Sequence, residues 1–134
     1  MSAEQSEQAT ADVLIVEDEQ AHAEAMEEGL SRVGHRCAVA HDGQAALDRL
    51  GGQAFDIVVT DLKLGGEIDG IGVLEWVMAR APSTKVILIT AHSSVESCRR
   101  ALQEGAFDYI EKPLDLDELR TVVGRAAQLT AQRR

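Results

Sequence analysis

The stretch FDIVVTDLKLGG, residues 55–66, joins a strongly apolar run to an acidic residue. Residues 57–60 are apolar or β-branched, which is typical of a strand that is buried on both faces. The run ends on the carboxylate of Asp61, and two glycines follow shortly afterwards. Because acidic side chains are rarely fully buried unless they have a partner, we interpret Asp61 as the end of a strand and as a candidate functional residue.

Similar apolar runs mark the rest of the chain, so that predicted strands cover residues 13–16, 37–40, 56–60, 85–90 and 108–111. Between and after them, apolar residues recur at spacings of three and four, which is the period of an amphipathic helix. Five strand–helix units of this kind predict an α/β fold, because right-handed crossovers place helices on both faces of a parallel sheet. We expect a doubly wound, five-stranded parallel sheet with five helices and the flavodoxin-like strand order 2-1-3-4-5.

Length and charge limit the possible functions. A chain of 134 residues, 45% of them hydrophobic, can bury one core without metal or disulfide staples. The formal net charge of -10 argues against direct nucleic-acid binding by this segment. No apolar run approaches the roughly 20 residues of a membrane span. The two cysteines show no metal-ligand spacing, and we expect a cytoplasmic protein with reduced thiols.

The predicted organisation has three parts. Residues 1–11 are polar and are expected to form a disordered leader, residues 12–129 form the α/β domain, and residues 130–134 begin a linker.

Polar residues follow the predicted strands in a pattern that suggests a site. Glu17 and Asp18 follow the first strand, Asp61 ends the third, and Thr90 and Lys112 follow the apolar runs of the fourth and fifth. Taken singly, each has a structural explanation: a helix cap for Asp18, an ordinary strand residue for Thr90, a solvated charge for Lys112. In the expected strand order, however, the first and third strands are neighbours, so the three carboxylates should converge where ligands bind in such sheets.

Three adjacent carboxylates favour a bound cation, because each raises the pKa of the others unless their charge is neutralised. Oxygen ligands suit Mg²⁺, which also coordinates phosphoryl oxygens. A carboxylate such as Asp61 can act as a nucleophile and form an acyl phosphate without a base, since it is already ionised at pH 7. Lys112 and Thr90 offer an ammonium and a hydroxyl for holding the transferred group.

Four segments together resemble the response-regulator receiver domain of two-component signalling: VLIVEDE (13–19), VVTDLKL (58–64), LITAH (88–92) and DYIEKP (108–113). The resemblance covers about residues 12–129. It implies a role for each matching position: phosphoacceptor for Asp61, Mg²⁺ ligands for Glu17, Asp18 and the backbone carbonyl of Lys63, switch hydroxyl for Thr90, phosphate contact for Lys112, rotating aromatic for Tyr109, and a cis bond before Pro113. It also implies a signalling domain that only phosphorylates and dephosphorylates itself, and is otherwise not an enzyme.

The resemblance further implies partners. These are a sensor histidine kinase as phosphodonor and an output module controlled through the face made by helix four, strand five and helix five, which is also a possible homodimer contact. The sequence of residues 105–123 resembles receivers of nitrogen-regulator-like transcription activators, which carry AAA+ ATPase and DNA-binding modules. Exposed members of the face are expected to be Arg99, Arg100, Asp115, Glu118 and Arg120.

Three other classes of protein are alternatives to a receiver that controls an output module. A haloacid-dehalogenase-like phosphatase also uses an aspartate after a strand, but it usually needs a second one where this chain has Lys63. A nucleotide or flavin binder should have a phosphate loop in place of residues 17–19, EDE. A stand-alone phosphorelay or docking receiver is a further alternative, and a degenerate receiver used only for docking is disfavoured because no site residue is missing. The segment LGGEIDG, residues 64–70, looks longer and richer in glycine than in many receivers, and we interpret its Glu67 and Asp69 as solvated loop charges.

Overall fold

A computed structural model of the chain describes residues 9–91 and 95–133. The strands are β1 (Asp12–Val16), β2 (Arg36–Ala40), β3 (Ile57–Asp61), β4 (Lys85–Thr90) and β5 (Asp108–Glu111). The helices are α1 (Gln20–Ser31), α2 (Gly43–Gly52), α3 (Gly70–Arg80), α4 (Val95–Gln103) and α5 (Leu116–Arg133). Each strand lies within one residue of its predicted bounds, because the apolar runs coincide with the buried strands.

The five strands form one parallel sheet in the order β2-β1-β3-β4-β5. This order confirms the flavodoxin-like prediction. Val16 is the register partner of both Ala40 and Thr60, and Thr90 is the partner of Glu111. The carboxyl ends of all five strands therefore meet at one edge of the sheet.

The sheet separates two apolar layers. Leu14, Val16 and Val58 face the layer formed with α2, α3 and α4, whereas Val13 and Ile15 face the layer formed with α1 and α5. Successive side chains of β1 thus enter opposite layers, as the pleat requires. Burial on both faces fixes the register of the strands, because a shift by one residue would exchange the two sets of side chains.

At both ends, the described structure extends past the predicted domain boundaries. Of the predicted leader, the structure describes residues 9–11: Ala11 is buried, its N–H donates to Nδ1 of His35 at 3.1 Å, and Ala9 packs against the core. These residues belong to the folded domain. At the other end α5 continues to Arg133 and includes most of the predicted linker. Within the described part of the chain, no helix combines the length and apolar character needed to cross a membrane.

Candidate functional site

Three carboxylates meet at the carboxyl edge of the sheet. One oxygen each from Glu17, Asp18 and Asp61 can be chosen so that all three lie within 4.8 Å of one another. The register explains this arrangement, since β1 and β3 are neighbours and their paired ends lead directly into these residues. Glu17 and Asp61 are only 2% and 5% exposed, whereas Asp18 is exposed. The acidic cluster is therefore open to solvent on the Asp18 side.

Glu17 is held by its neighbours in the main chain. Its N–H donates to the carbonyl of Ala40 at 3.0 Å, and its Oε2 accepts from the N–H of Glu19 at 3.0 Å. Burial raises the pKa of the Glu17 carboxyl above its ordinary value; the N–H of Glu19 opposes the rise, and the negative charge of Asp61 adds to it. A cation at the cluster would offset the repulsion between the negative charges of Glu17 and Asp61.

Asp18 does not cap α1. The N-cap of α1 is Glu19, and no side-chain hydrogen bond caps the helix. The loop after β3 passes close to Asp18, since a Cβ built on Gly65 would lie 3.9 Å from Asp18 Oδ2. With the helix-cap explanation removed, the position of Asp18 agrees with its interpretation as a cation ligand.

Lys112 neutralises part of the cluster. Its Nζ donates to Asp61 Oδ2 at 3.0 Å, and its backbone N–H donates to the carbonyl of Thr90 at 2.8 Å. Burial works to lower the pKa of the Lys112 ammonium, but the hydrogen bond to Asp61 and the charges of the carboxylates outweigh it, so the pKa is raised. The peptide bond between Lys112 and Pro113 is cis, as the resemblance implies.

Thr90 and Tyr109 lie on the two strands beyond β3. Thr90 is 1% exposed, and its hydroxyl donates to the carbonyl of Ala91 at 3.1 Å. Tyr109 is half-buried, pairs in register with Leu88 and packs against the α2–α4 layer. His92, the last residue of the LITAH segment, lies outside the described residues.

Cys98 of α4 contributes a contact that the sequence does not suggest. Its buried thiol is close enough to Thr90 for a hydrogen bond, which opposes the rise that burial causes in the thiol pKa. Sequence spacing indicated only a buried cysteine, because the meeting of α4 with the end of β4 is a tertiary feature.

The loop between β3 and α3 returns to Asp61. The N–H of Gly70 donates to the carbonyl of Leu62 at 2.9 Å, and a Cβ on Gly70 would lie 2.5 Å from the carbonyl oxygen of Asp61. Only glycine allows this approach. Asp69 is the N-cap of α3 and accepts from the N–H of Gly72 at 3.0 Å. It is exposed, in keeping with its interpretation as a solvated loop charge, and the capping role is additional. Lys63 has an exposed side chain in this loop.

Arg120 departs from expectation. It was expected to be exposed on the face of α4, β5 and α5, but its side chain is only 30% exposed. It contacts Asp117, and its guanidinium lies toward α1, 3.4 Å from where a Cβ on Gly29 would be. Arg99, Arg100, Asp115 and Glu118 are exposed as expected.

The donor set fits Mg²⁺. Three carboxylates offer hard oxygen ligands within reach of one ion, and one of the three is open to solvent, which leaves room for the waters that Mg²⁺ retains.

A largely apolar cavity of about 370 Å³ adjoins the cluster between α1 and the β5–α5 connection. Its lining includes Glu17, Met26, Lys112, Pro113 and Leu116.

Comparisons with known proteins agree with this geometry. The family described as "Response regulator receiver domain" matches residues 13–124. The transcriptional regulatory protein ZraR of Escherichia coli K12 is 38% identical over 115 residues, which are 86% of this chain and 26% of that protein. A putative NtrX-like response regulator of Rickettsia conorii is 39% identical over 124 residues, 92% of this chain and 26% of that protein.

A solved structure extends the similarity to three dimensions. The receiver domain of NtrX from Brucella abortus has a TM-score of 0.83 at 33% identity, and the match covers 87% of this chain and 98% of that one. The chain spans about a quarter of the length of the two curated relatives.

Proposed function

The chain belongs to the response-regulator receiver family, and from that premise we propose that Asp61 accepts a phosphoryl group from a sensor histidine kinase in the presence of Mg²⁺. The observation that carries the proposal is the convergence of Glu17 and Asp18 on Asp61, with Lys112 Nζ at 3.0 Å from its carboxylate. A buried acidic cluster with one hydrogen-bonded lysine suits a dianionic group that arrives with a divalent cation.

The reaction on Asp61 is a displacement at phosphorus. A carboxylate oxygen of Asp61 attacks the phosphorus of a phosphohistidine, so that an O–P bond forms and the P–N bond breaks. The electron pair of the broken P–N bond stays on the imidazole nitrogen, and the imidazole leaves as the neutral ring because its other nitrogen carries a proton in the phosphohistidine that reacts. The product is an acyl phosphate on Asp61, and later attack by water returns the carboxylate and inorganic phosphate.

The residues around Asp61 have distinct roles in this proposal. Mg²⁺ would be held by Glu17, Asp18, Asp61 and the backbone carbonyl of Lys63. The bound ion would offset the repulsion between the anionic nucleophile and the anionic donor. The Lys112 ammonium, already bonded to Asp61, pairs with the oxygens of the transferred group. The cavity beside the cluster gives a donor an apolar surface next to Asp61.

The signal passes through Thr90 and Tyr109. The phosphoryl group adds roughly two negative charges and new acceptor oxygens. The Thr90 hydroxyl therefore breaks its hydrogen bond to the Ala91 carbonyl and donates to a phosphoryl oxygen. The space vacated behind Thr90 favours an inward rotamer of the half-buried Tyr109. This movement changes the face of α4, β5 and α5, which contacts the output module and serves as a homodimer contact.

The output is transcriptional in this proposal. Similarity to a transcriptional regulatory protein and an NtrX-like response regulator supports it, and the family resemblance adds an AAA+ ATPase and a DNA-binding module elsewhere in the full-length protein. The domain itself works in the cytoplasm, binds no nucleic acid, and carries no activity besides its own phosphorylation and dephosphorylation.

Labelling with a small phosphodonor such as acetyl phosphate tests the acceptor. Intact-mass measurement in Mg²⁺ should show one phosphoryl group on the wild type and none on Asp61→Asn. Glu67→Gln, which changes an exposed carboxylate of the same loop, is the matched control and should be labelled like the wild type. Equal labelling of Asp61→Asn, with no other carboxylate found modified by peptide mapping, would refute the assignment.

Thr90→Ala tests the switch separately. The variant should still be phosphorylated, because Thr90 is not the acceptor, but it should respond poorly, since a ligand shifts an equilibrium only through contacts that differ between the states. NMR shifts on adding beryllofluoride report the response across residues 95–120. Undiminished shifts in the variant would exclude Thr90 as the coupling residue.

A further inference from the structure

The segment formed by residues 40–43, at the junction of β2 and α2, contacts the backbone of Glu17 and the loop that follows Asp61. On the β1 side, the Ala40 carbonyl accepts from the N–H of Glu17 at 3.0 Å, and Nδ1 of His41 lies 3.2 Å from the carbonyl oxygen of Glu17. On the β3 side, Gly43 contacts Ile68 in the loop that follows Asp61. None of the residues in this segment carries a role in the proposed reaction, yet the segment bridges the two strands' ends.

The contact between Gly43 and Ile68 is closer than a side chain permits. A Cβ on Gly43 would lie 2.3 Å from the carbonyl oxygen of Ile68 and 2.7 Å from its Cβ and Cγ2. Real Cβ atoms essentially never approach other heavy atoms within 3.0 Å. Gly43 begins α2 without a positive φ, so backbone conformation does not require glycine there. The space taken by Ile68 does.

Ile68 is an anchor of the loop beside the cluster. The loop leaves the sheet at Leu62 and closes through the Leu62–Gly70 hydrogen bond, and Gly65 passes beside Asp18 on the way. Ile68 is half-buried and packs against the α2–α4 layer. Glycine at position 66, with a φ of 90°, adds no side chain to stiffen the loop. The contact at Gly43 therefore determines how closely the loop lies over the carboxylates.

We propose that Gly43 is a positioning residue for the cation site and acts through Ile68 by letting the β3–α3 loop close beside Asp18 and Asp61. A side chain at position 43 displaces Ile68 and moves the loop away from the cluster. The inference rests on the proposed function, because it takes the acidic cluster to be the Mg²⁺ site. The inference extends that function to Gly43 of α2, a residue that contacts neither Mg²⁺ nor the phosphoryl group in the proposed reaction.

Gly43→Ala compared with Gly51→Ala tests the proposal. Gly51 lies in the same helix, and a Cβ there meets nothing within 4 Å, so alanine at 51 adds helix propensity without a contact. For Gly43→Ala, the Mg²⁺ Kd measured by calorimetry should rise about tenfold or more, as is typical when a group that orients metal ligands is altered. Gly51→Ala should keep the wild-type Kd.

Amide exchange in the metal-free protein provides a readout that does not depend on Mg²⁺. Residues 63–69 should exchange several-fold faster in Gly43→Ala than in the wild type, and at the wild-type rate in Gly51→Ala. Ile68→Ala removes the other side of the contact without adding bulk, so it should also raise the Kd and speed exchange. This variant decides the matter if Gly43→Ala does not fold. Effects that are not additive in the double variant would show that both act through one contact.

The outcomes separate this inference from the proposed function. No Mg²⁺ binding by the wild type would overturn both. Wild-type Mg²⁺ binding together with an unchanged Kd in Gly43→Ala and Ile68→Ala would overturn the positioning role alone, whether or not the loop exchanges faster.

Discussion

Buried polar side chains occur at both ends of the parallel sheet, but their partners differ. At the amino edge they bind the main chain: Oδ2 of Asp56 accepts from the N–H of Asp12 at 2.9 Å, and Thr84 donates to the carbonyl of Phe55 at 2.8 Å. At the carboxyl edge, Glu17 and Asp61 lie beside each other and beside Asp18, and Lys112 donates to Asp61.

The difference separates polar groups whose partners are main-chain atoms from carboxylates whose charges lie beside one another. A buried polar group bonded to backbone contributes to stability, and removing it leaves an unsatisfied partner. Carboxylates that face one another raise the free energy of the metal-free protein instead. Changes at the amino edge should therefore alter stability and leave cation binding unchanged. At the carboxyl edge, removing a carboxylate should alter cation binding and phosphorylation, whereas removing the lysine that pairs with Asp61 should destabilise the metal-free protein.

Lys112→Met should have the largest effect on the stability of the metal-free protein. The change leaves the buried carboxylate of Asp61 without its bonded ammonium, and we expect a loss of about 1.5–3 kcal/mol in the free energy of unfolding. Partial solvent exposure of Lys112 keeps the loss below that of a fully buried pair. Urea melts measure the loss, and added Mg²⁺ should recover part of it. Lys63→Met, an exposed lysine nearby, should be close to neutral; equal losses in both variants would break the comparison.

Asp56→Ala should have the next largest effect on stability and should leave Mg²⁺ binding unchanged. The Asp12 N–H loses its acceptor at the amino edge, so the free energy of unfolding should fall by about 1–2 kcal/mol. Mg²⁺ affinity should not change, because Asp56 lies at the other end of β3. An altered Mg²⁺ Kd in a folded Asp56→Ala protein would show that the two edges are not independent.

Thr84→Val sharpens the same contrast with a nearly isosteric change. Loss of the hydroxyl that donates to the Phe55 carbonyl should cost about 1 kcal/mol. Thr121→Val provides the control, since its exposed hydroxyl bonds only to the carbonyl of Asp117 within α5. Thermal melts should separate the two variants, and similar melting temperatures would mean that the buried hydroxyl contributes little.

The pH dependence of His35 should be the smallest effect. Burial, with help from the charge of Arg36, lowers the pKa of the His35 imidazole, whose Nδ1 accepts from the N–H of Ala11. As the pH falls below about 6.5, the unfolded chain takes up the proton first, so this stabilisation is present at higher pH and is lost toward acid. His35→Gln should flatten that part of the stability curve below about pH 6.5. A curve parallel to that of the wild type would contradict the assignment.

The strands and the carboxylate cluster could both be predicted from the sequence, and for the same physical reason. Strands buried on both faces must be apolar throughout, so the charged residues that end them, such as Asp61, stand out. Once the strand order is assumed, the register alone brings Glu17 and Asp18 to Asp61. The apolar runs are visible in short stretches of sequence, whereas the strand order came from the flavodoxin-like topology.

Contacts between distant segments could not be predicted in this way. Asp69 caps α3, the Arg120 guanidinium lies toward α1, and Gly43 packs against Ile68. Each depends on how two elements approach each other, and hydrophobic periodicity carries no information on that distance. Residues 9–11 looked like part of a polar leader because the acceptor for the Ala11 N–H is His35, 24 positions away in the sequence.

The Mg²⁺ dependence of phosphoryl transfer to Asp61 tests the account most directly. The mass increase with a small phosphodonor is followed against Mg²⁺ concentration for the wild type, Asp18→Asn and Thr84→Val. We expect no transfer without Mg²⁺, a half-saturating concentration at least about tenfold higher for Asp18→Asn, and the wild-type value for Thr84→Val. Metal-free Asp18→Asn should be at least as stable as the wild type, because one carboxylate charge is removed. The same Mg²⁺ requirement in wild type and Asp18→Asn, or full transfer to Asp61 in the presence of a chelator, would contradict the account.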